Sequence, residues 1–564
     1  MIAELQIKWA MYFGLPILVF IILFAYQVYQ NKKKEIQKIK SSFGKAASKN
    51  YYFEEFQSIS RGFNVDDDEV FDIDDITWND LNMDEIYKTM DSTKSSLGQE
   101  ALYRILRKTD VSDDELNERE RLISFFTDNE DKRVKLSLIY NDFGFSKRMA
   151  VADYLNIIKD CERKSIIPHI MAILLLAASI VYCIAFNAVY GVVAVIAVIS
   201  FNILSYYKYK SEFADYLICV KQFYSMCACA KSIVKLNIPE LDKYNNNLKN
   251  SLESFKGINR FAFIMSLGKS GILEFFLEYL RIFTHIDIIK FYFLLDDFKK
   301  KNSEIWDFYY TLGYLDALMA VASYRKYLPY WCKPQFVNET EVCTLEVDEL
   351  FHPLIENPVS NSIKVNNSVL ITGSNASGKS TLLRSAGINA ILAQTINTSI
   401  SKSYRADKFR IYSSMALKDN VLSNESYYMV EIKSLKRIMD ASAQKNKYPV
   451  LCFIDEVLRG TNTIERIAAS SQILKKLSCG RTICFAATHD IELTSILESF
   501  FDNYHFSESI DEDVKFDYKL LRGRATSRNA IKLLGLLGYD ENILYSAFEQ
   551  AKAFEQSGLW KKLY

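Results

Sequence analysis

The stretch Val369–Arg384, V-L-I-T-G-S-N-A-S-G-K-S-T-L-L-R, constrains this chain more than any other. The apolar run Val369–Ile371 reads as a buried strand. It ends in Gly373-x-x-x-x-Gly378-Lys379-Ser380 and passes into a helix of apolar periodicity. A phosphate-binding loop requires that strand–loop–helix context. Glycines let backbone N–H groups turn inward around phosphate oxygens, and the helix N-terminus adds the positive end of its dipole. Lys379 is then placed to reach β- and γ-phosphates, and Ser380 to hold Mg²⁺.

The remaining chemistry lies downstream. Val450–Glu456 is an apolar strand ending in two acids, Asp455 and Glu456. Asp455 would hold Mg²⁺ through water beside Ser380, and Glu456 would polarise an attacking water. The next apolar strand, Thr482–Ala487, runs into Thr488-His489, where a histidine can approach the γ-phosphate. Between the Gly373–Thr381 loop and these acids, Asp419–Glu431 reads as a polar loop entering a helix, and Arg459-Gly460-Thr461, just after the acids, reads as a turn.

Two stretches point to a membrane. Trp9–Tyr29 is 21 residues without a charge, followed by Lys32-Lys33-Lys34. The positive-inside rule then puts the segment after residue 30 in the cytoplasm and the N-terminus outside. The competing reading, a cleaved signal peptide, lacks a small-x-small cleavage site. Ile166–Phe186 and Ala188–Tyr207 form a 42-residue stretch without Asp, Glu, Lys or Arg, with Asn187 as the turn. Two spans fit, and the competing reading is a buried core hairpin. Basic residues flank both ends, so both face the cytoplasm.

The rest is helical or tether-like. Residues 31–70 read as a linker that turns acidic at Asp66–Glu69; residues 74–150 and 210–342 read as helices. Lys+Arg and Asp+Glu both number 69, which gives no sign of a strongly basic DNA-binding surface. The ten cysteines are scattered, and Cys227-Ala-Cys229 has no second pair at metal-ligand spacing, so no zinc is expected.

The order of these motifs resembles the MutS family of mismatch-repair ATPases. The family's T-G-P-N-M-G-G-K-S-T resembles Thr372–Thr381, and its L-A-Q resembles Leu392-Ala393-Gln394. Its S-T-F-M-V-E-M resembles Ser426–Ile432, its D-E-x-G-R-G-T-S-T resembles Asp455–Thr463, its A-T-H resembles Ala487–His489, and its H-P resembles His352-Pro353. Ser92–Arg121 and Leu312–Leu318 resemble the family's helical core more weakly. Leu458 stands where the family has Gly, and Ser374 where it has Pro.

The resemblance implies an ABC-like α/β P-loop NTPase domain, C-terminal to an all-α core and lever, here with three transmembrane helices. The expected division is an anchor (1–30), an acidic linker (31–70), the first part of the core (71–160), a transmembrane hairpin (161–210), a lever (211–340) and an ATPase domain with C-terminal dimerisation helices (341–564). The family's mismatch-recognition and connector domains are expected to be lacking. Implied nucleotide-binding residues are Gly373, Ser374, Asn375, Ala376, Ser377, Gly378, Lys379, Ser380, Thr381, Gln394, Ser426 and His352. Ser380 and Asp455 are implied for Mg²⁺, and Glu456, His489 and Lys379 for catalysis. Ser426 would act across a homodimer; the alternative is a helix cap.

The expected function is a membrane-anchored ATPase whose ATP cycle opens and closes a dimeric clamp on mismatched, damaged or branched DNA, in repair or recombination. It would lie in the inner, cytoplasmic membrane as a multi-pass protein, with the ATPase facing the cytoplasm. The alternative is an ATP-switched membrane scaffold without DNA binding. An ABC-type transporter component fits less well, since no L-S-G-G-Q-like signature is present.

Overall fold

The computed structural model describes residues 15–61, 73–258, 279, 281–337, 343–374, 377–415, 427–510, 514–525, 531, 534, 538–558 and 560–563, leaving out 48, 50, 52, 147, 148, 163, 445, 446 and 460 within them. Two compact units interleave along the chain. One comprises Met1–Asp66, Asp91–Arg104 and Leu122–Lys326; the other comprises Asp67–Met90, Ile105–Arg121 and Tyr327–Tyr564.

The first unit is helical among its described residues. Its core is the helix Asn302–Tyr327, buried along most of its length. Two glycines bring this helix against Ser96–Arg107. A Cβ on Gly98 would lie 2.3 Å from Asp316 Oδ2, and one on Gly313 would lie 2.4 Å from the Leu97 carbonyl oxygen. Buried Asp316 caps the shorter helix, accepting 2.6 Å from Ser95 Oγ and 3.1 Å from the Lys94 N–H. Burial pushes its carboxyl up to about 6. Glu100 plays the same part for the helix Val151–Asp160, accepting from the N–H groups of Val151 at 2.6 Å and Ala152 at 3.0 Å.

The helices Ile167–Ala185 and Ala188–Tyr209 are long and apolar enough to cross a membrane, and only 17% and 11% of them is buried. Asn187 is the turn between them, its side chain accepting from Val189 N and Tyr190 N. The second helix does not stop at the membrane boundary but continues unbroken to Leu236. The expected first span is different. Residues 9–14 lie outside the described residues, and Leu15–Ser42 is one helix that carries the apolar segment straight through Lys32-Lys33-Lys34. Among the described residues two helices, not three, meet the length and apolarity of a span. The first part of the expected linker is thus helical, and its acidic run lies outside the described residues.

The second unit is built on a six-stranded sheet of order β10-β9-β4-β8-β7-β6. Its strands are β4 (Ser368–Thr372), β6 (Arg410–Ser414), β7 (Val450–Asp455), β8 (Thr482–Thr488), β9 (Phe501–Ile510) and β10 (Val514–Arg522). All neighbours are parallel except β9 and β10, which form an antiparallel hairpin. β4 and β8 are buried at every position, as a parallel sheet covered on both faces requires. A second sheet of order β1-β5-β2-β3 uses β1 (Gln335–Phe336), β2 (Leu345–Leu350), β3 (Asn361–Val365) and β5 (Ser403–Ala406).

Sequence reading places residues 71–121 wholly in the helical core, whereas two pieces of that segment belong to the sheet unit. The helix Asp75–Asp80, capped by Asp74, packs at the end of β6. Asp80 Oδ2 accepts 2.7 Å from Ser413 Oγ and 2.9 Å from the Met415 N–H, and Thr77 Oγ1 accepts 3.0 Å from the Ser413 N–H. Leu81 fills the space above Gly387, where its methyl carbons lie 2.8 and 2.9 Å from the position of a Cβ. Stranding a buried donor costs about 1–3 kcal/mol, so Asp80→Ala should destabilise this unit by roughly 2–4 kcal/mol and Asp80→Asn by less. Urea unfolding of the full chain with a probe in the sheet unit checks this.

Candidate functional site

The site forms where the parallel strands end. β4 runs out into Gly373, whose φ is 148°, and Gly378, whose φ is 107°, opens the helix Lys379–Ile396. Both glycines have backbone in the left-handed region that disfavours side chains. At Gly373 space argues for glycine as well, since a Cβ there would lie 2.9 Å from Ser377 Oγ.

Lys379 folds back over this loop, 5% exposed, donating to the carbonyls of Gly373 at 2.8 Å and Ser374 at 2.7 Å. Ser380 Oγ donates 2.5 Å to Asp455 Oδ2 at the end of β7. Glu456 follows with φ 61°, its N–H held 2.9 Å from the Ala487 carbonyl on β8. Its Oε1 lies 2.9 Å from His489 Nε2 and its Oε2 is ion-paired with Arg459. A carboxylate accepts only, so His489 Nε2 carries the proton and donates. The Lys379 ammonium, 3.4 Å from the same nitrogen, therefore does not donate to it. This hydrogen bond, with the charges of Arg459, His489 and Lys379, holds the Glu456 carboxyl below its ordinary range although burial opposes it. Glu456 is thus an ionised group beside the Gly373–Thr381 loop, suited to take or orient a proton rather than to donate one.

These groups line one cavity of about 570 Å³. Its lining combines the polar Lys379, Ser380, Asp455, Glu456, Arg459 and His489 with the apolar or aromatic Phe351, Ile355, Val359, Phe506 and Tyr518. A pocket of this size with a mixed polar and apolar lining suits a nucleotide. The residues fit that ligand on two further grounds. Ser377 Oγ is buried in the loop without a hydrogen-bond partner, and the Ser380 hydroxyl and Asp455 carboxylate are the hard oxygen donors that Mg²⁺ takes.

Among the sequence-predicted residues, Ser374, Ser377, Gly378, Lys379, Ser380, Thr381, Asp455, Glu456, His489 and His352 line the cavity. Burial and the Arg384 charge push the His352 ring down to about 4, so it presents a neutral face. Asn375, Ala376 and Ser426 lie outside the described residues. Gln394 does not belong to the site. It is buried, and its side-chain amide is consumed by Phe409, donating 2.9 Å to the carbonyl and accepting 2.7 Å from the N–H.

Sequence reasoning gave no individual role to several residues that shape the site. Tyr518 sits at φ 53° within an irregularity of the β9–β10 ladder, which brings it to the cavity mouth. Arg466 grips Asp490 with both carboxylate oxygens, at 2.9 and 2.6 Å, fixing the residue next to His489. Leu458 has φ 59°. That value explains why a glycine suits this position in the family that the sequence resembles; here the leucine side chain is buried in the core with Leu435 and Leu474.

The family model for MutS domain V matches residues 369–555. The DNA mismatch repair protein msh3 of Aspergillus niger is 27% identical over 290 residues, covering 48% of this chain and 25% of that protein. The DNA mismatch repair protein MutS of Thermotoga maritima is 28% identical over 269 residues, 45% of this chain and 32% of its own length. MutS protein homolog 4 of Homo sapiens is 29% identical over 238 residues, 39% of this chain and 24% of its own length. The chain thus spans 24–32% of the length of these relatives.

Proposed function

We propose, for a chain that belongs to the MutS family, that its C-terminal unit binds and hydrolyses ATP and uses that cycle to open and close a dimeric clamp on DNA at a membrane. The observation that carries the ATPase reading is the convergence of Lys379, the Ser380–Asp455 pair and the Glu456–His489 pair in one cavity. The Gly373–Thr381 loop would hold the phosphates and Lys379 would place its charge on them. Ser380 and Asp455 would hold Mg²⁺, which when bound neutralises charge developing on the phosphate oxygens. Glu456 orients the attacking water and takes its proton, and His489 keeps Glu456 turned toward the cavity. Ser426 of a second copy completes the site, so hydrolysis belongs to a homodimer.

The relatives that match are named as mismatch repair proteins, and that supports DNA as the object of the clamp: mismatched, damaged or branched. The exposed apolar pair Ile167–Ala185 and Ala188–Tyr209 supports an inner-membrane, multi-pass protein with its ATPase in the cytoplasm. The equal counts of basic and acidic residues favour a second reading, an ATP-switched membrane scaffold that leaves DNA alone.

Binding of duplex, mismatched and four-way-junction DNA to the purified full chain, with and without Mg·ATP, separates the two. Phosphate contacts make affinity fall steeply with salt, so raising salt from about 50 to about 200 mM should weaken binding at least tenfold. No salt-sensitive binding in either nucleotide state leaves the scaffold. A full chain that does not hydrolyse ATP on any DNA or without it removes the ATPase reading.

A further inference from the structure

The turn that carries the reacting carboxylate is a strained one. Glu456 and Leu458 both adopt left-handed backbone, with φ 61° and 59°, a conformation that is unfavourable for non-glycine residues and persists only where the surroundings impose it. On one side Glu456 N–H is tied to the Ala487 carbonyl at 2.9 Å. On the other side the closest tie is a buried side chain. Glu431, on the helix Tyr427–Ala443, is 3% exposed and places Oε1 2.6 Å from the Leu458 N–H and 3.4 Å from the Arg459 N–H. Ser470 Oγ adds a longer contact, 3.3 Å to the Val457 carbonyl.

We infer that Glu431 is a positioning residue for the ATPase reaction: its carboxylate oxygen holds the Leu458 and Arg459 amides so that Glu456 and Arg459 face the cavity. A second observation makes this side chain unlike an ordinary core residue. Glu431 Oε2 is buried without a hydrogen-bond partner, and burial raises the carboxyl while the Leu458 amide draws it down. A buried carboxylate held by backbone amides on one oxygen is costly to retain for packing alone. The same helix begins at Tyr427, next to Ser426, so Glu431 also joins the segment proposed to act across the dimer to the turn carrying Glu456.

The inference rests on the ATPase reading, and its test keeps the two apart. Glu431→Gln keeps an acceptor oxygen in the same place; Glu431→Met keeps the volume and removes the acceptor. In the full chain, kcat of Glu431→Gln should stay within about threefold of the parent. That of Glu431→Met should fall at least twentyfold, with KM and nucleotide affinity changed by less than about threefold. Loss in both variants, loss in neither, or a rise in KM alone overturns the positioning role. Amide hydrogen exchange supplies a readout that needs no turnover. In Glu431→Met the Leu458 and Arg459 amides should exchange at least tenfold faster while those of β7 and β8 are unchanged, and Glu431→Gln should not differ from the parent. Unchanged exchange in Glu431→Met also overturns the inference, whatever the ATPase result.

Discussion

Lys379→Met should weaken binding of Mg·ATP about a hundredfold while leaving the fold of the sheet unit intact. The ammonium is buried at 5% exposure and is satisfied by two carbonyls of its own loop, those of Gly373 and Ser374. Carbonyls on a loop of left-handed glycines are neutral acceptors. A triphosphate brings full charges to the same loop, and a hydrogen bond to a charged group is worth about 1.5–3 kcal/mol. Losing one or two such contacts corresponds to a factor of about 10² in affinity. Methionine keeps the unbranched stem, so the helix Lys379–Ile396 retains its packing. Titration with a fluorescent ATP analogue in the presence of Mg²⁺ reads the change directly. An affinity within threefold of the parent would show that the phosphates do not lie against Lys379.

The polar part of the site's lining was legible in the sequence because its chemistry is local. A phosphate loop needs its strand, glycines and helix consecutive, and Gly373, Gly378, Lys379 and Ser380 stand in that order. Asp455 and Glu456 end an apolar strand, as does the Thr488-His489 pair, and a parallel sheet brings strand ends together at one edge. The apolar part of the lining was not legible. Phe506 and Tyr518 arrive from a hairpin that folds back beside β4, and their role depends on an irregular register. Gln394 misled for the complementary reason: its motif fits a family pattern, but the residue spends its amide on Phe409, fifteen positions away. Long-range choice of partner also decides why Asp67–Met90 and Ile105–Arg121 join the sheet unit. Nothing in the helical periodicity of those segments announces that Asp80 will bond Ser413 and Met415.

Gly98 and Gly313 fall between these cases. Each appears in a weak motif with no evident chemistry, and each proves to be where two helices of the first unit approach to backbone distance. A helix-interior glycine costs about 1 kcal/mol relative to alanine, so its presence is a packing signal that only the structure can interpret. The apolar hairpin is the opposite extreme. Its composition alone fixes its length, and Asn187 is the turn that the sequence pattern anticipates; that its side chain also caps the second helix comes from the structure. What composition did not convey is that the second of these helices runs on to Leu236 as a single rod.

Glu456→Gln should separate ATP binding from ATP hydrolysis. The carboxylate is held on Oε1 by His489 at 2.9 Å and on Oε2 by Arg459, and the first of these is the main reason its carboxyl titrates below the ordinary range. It is therefore ionised at neutral pH and available to orient water and receive a proton. Glutamine matches its shape and can still accept from His489 Nε2, so the left-handed turn and the cavity should persist. What disappears is the charge and the basicity. Loss of a positioned acid–base group lowers rate by about 10²–10⁴, and the turnover number measured by phosphate release should fall within that range. Nucleotide affinity, set by the Gly373–Thr381 loop, should stay within a few-fold of the parent. ATP would then remain bound, and if the nucleotide is shared across two copies the variant should accumulate as an ATP-dependent dimer by light scattering. Hydrolysis within threefold of the parent rate would assign the chemistry to another group. The next to test would be His489, since it lies 2.9 Å from the same carboxylate and would have to supply the base itself.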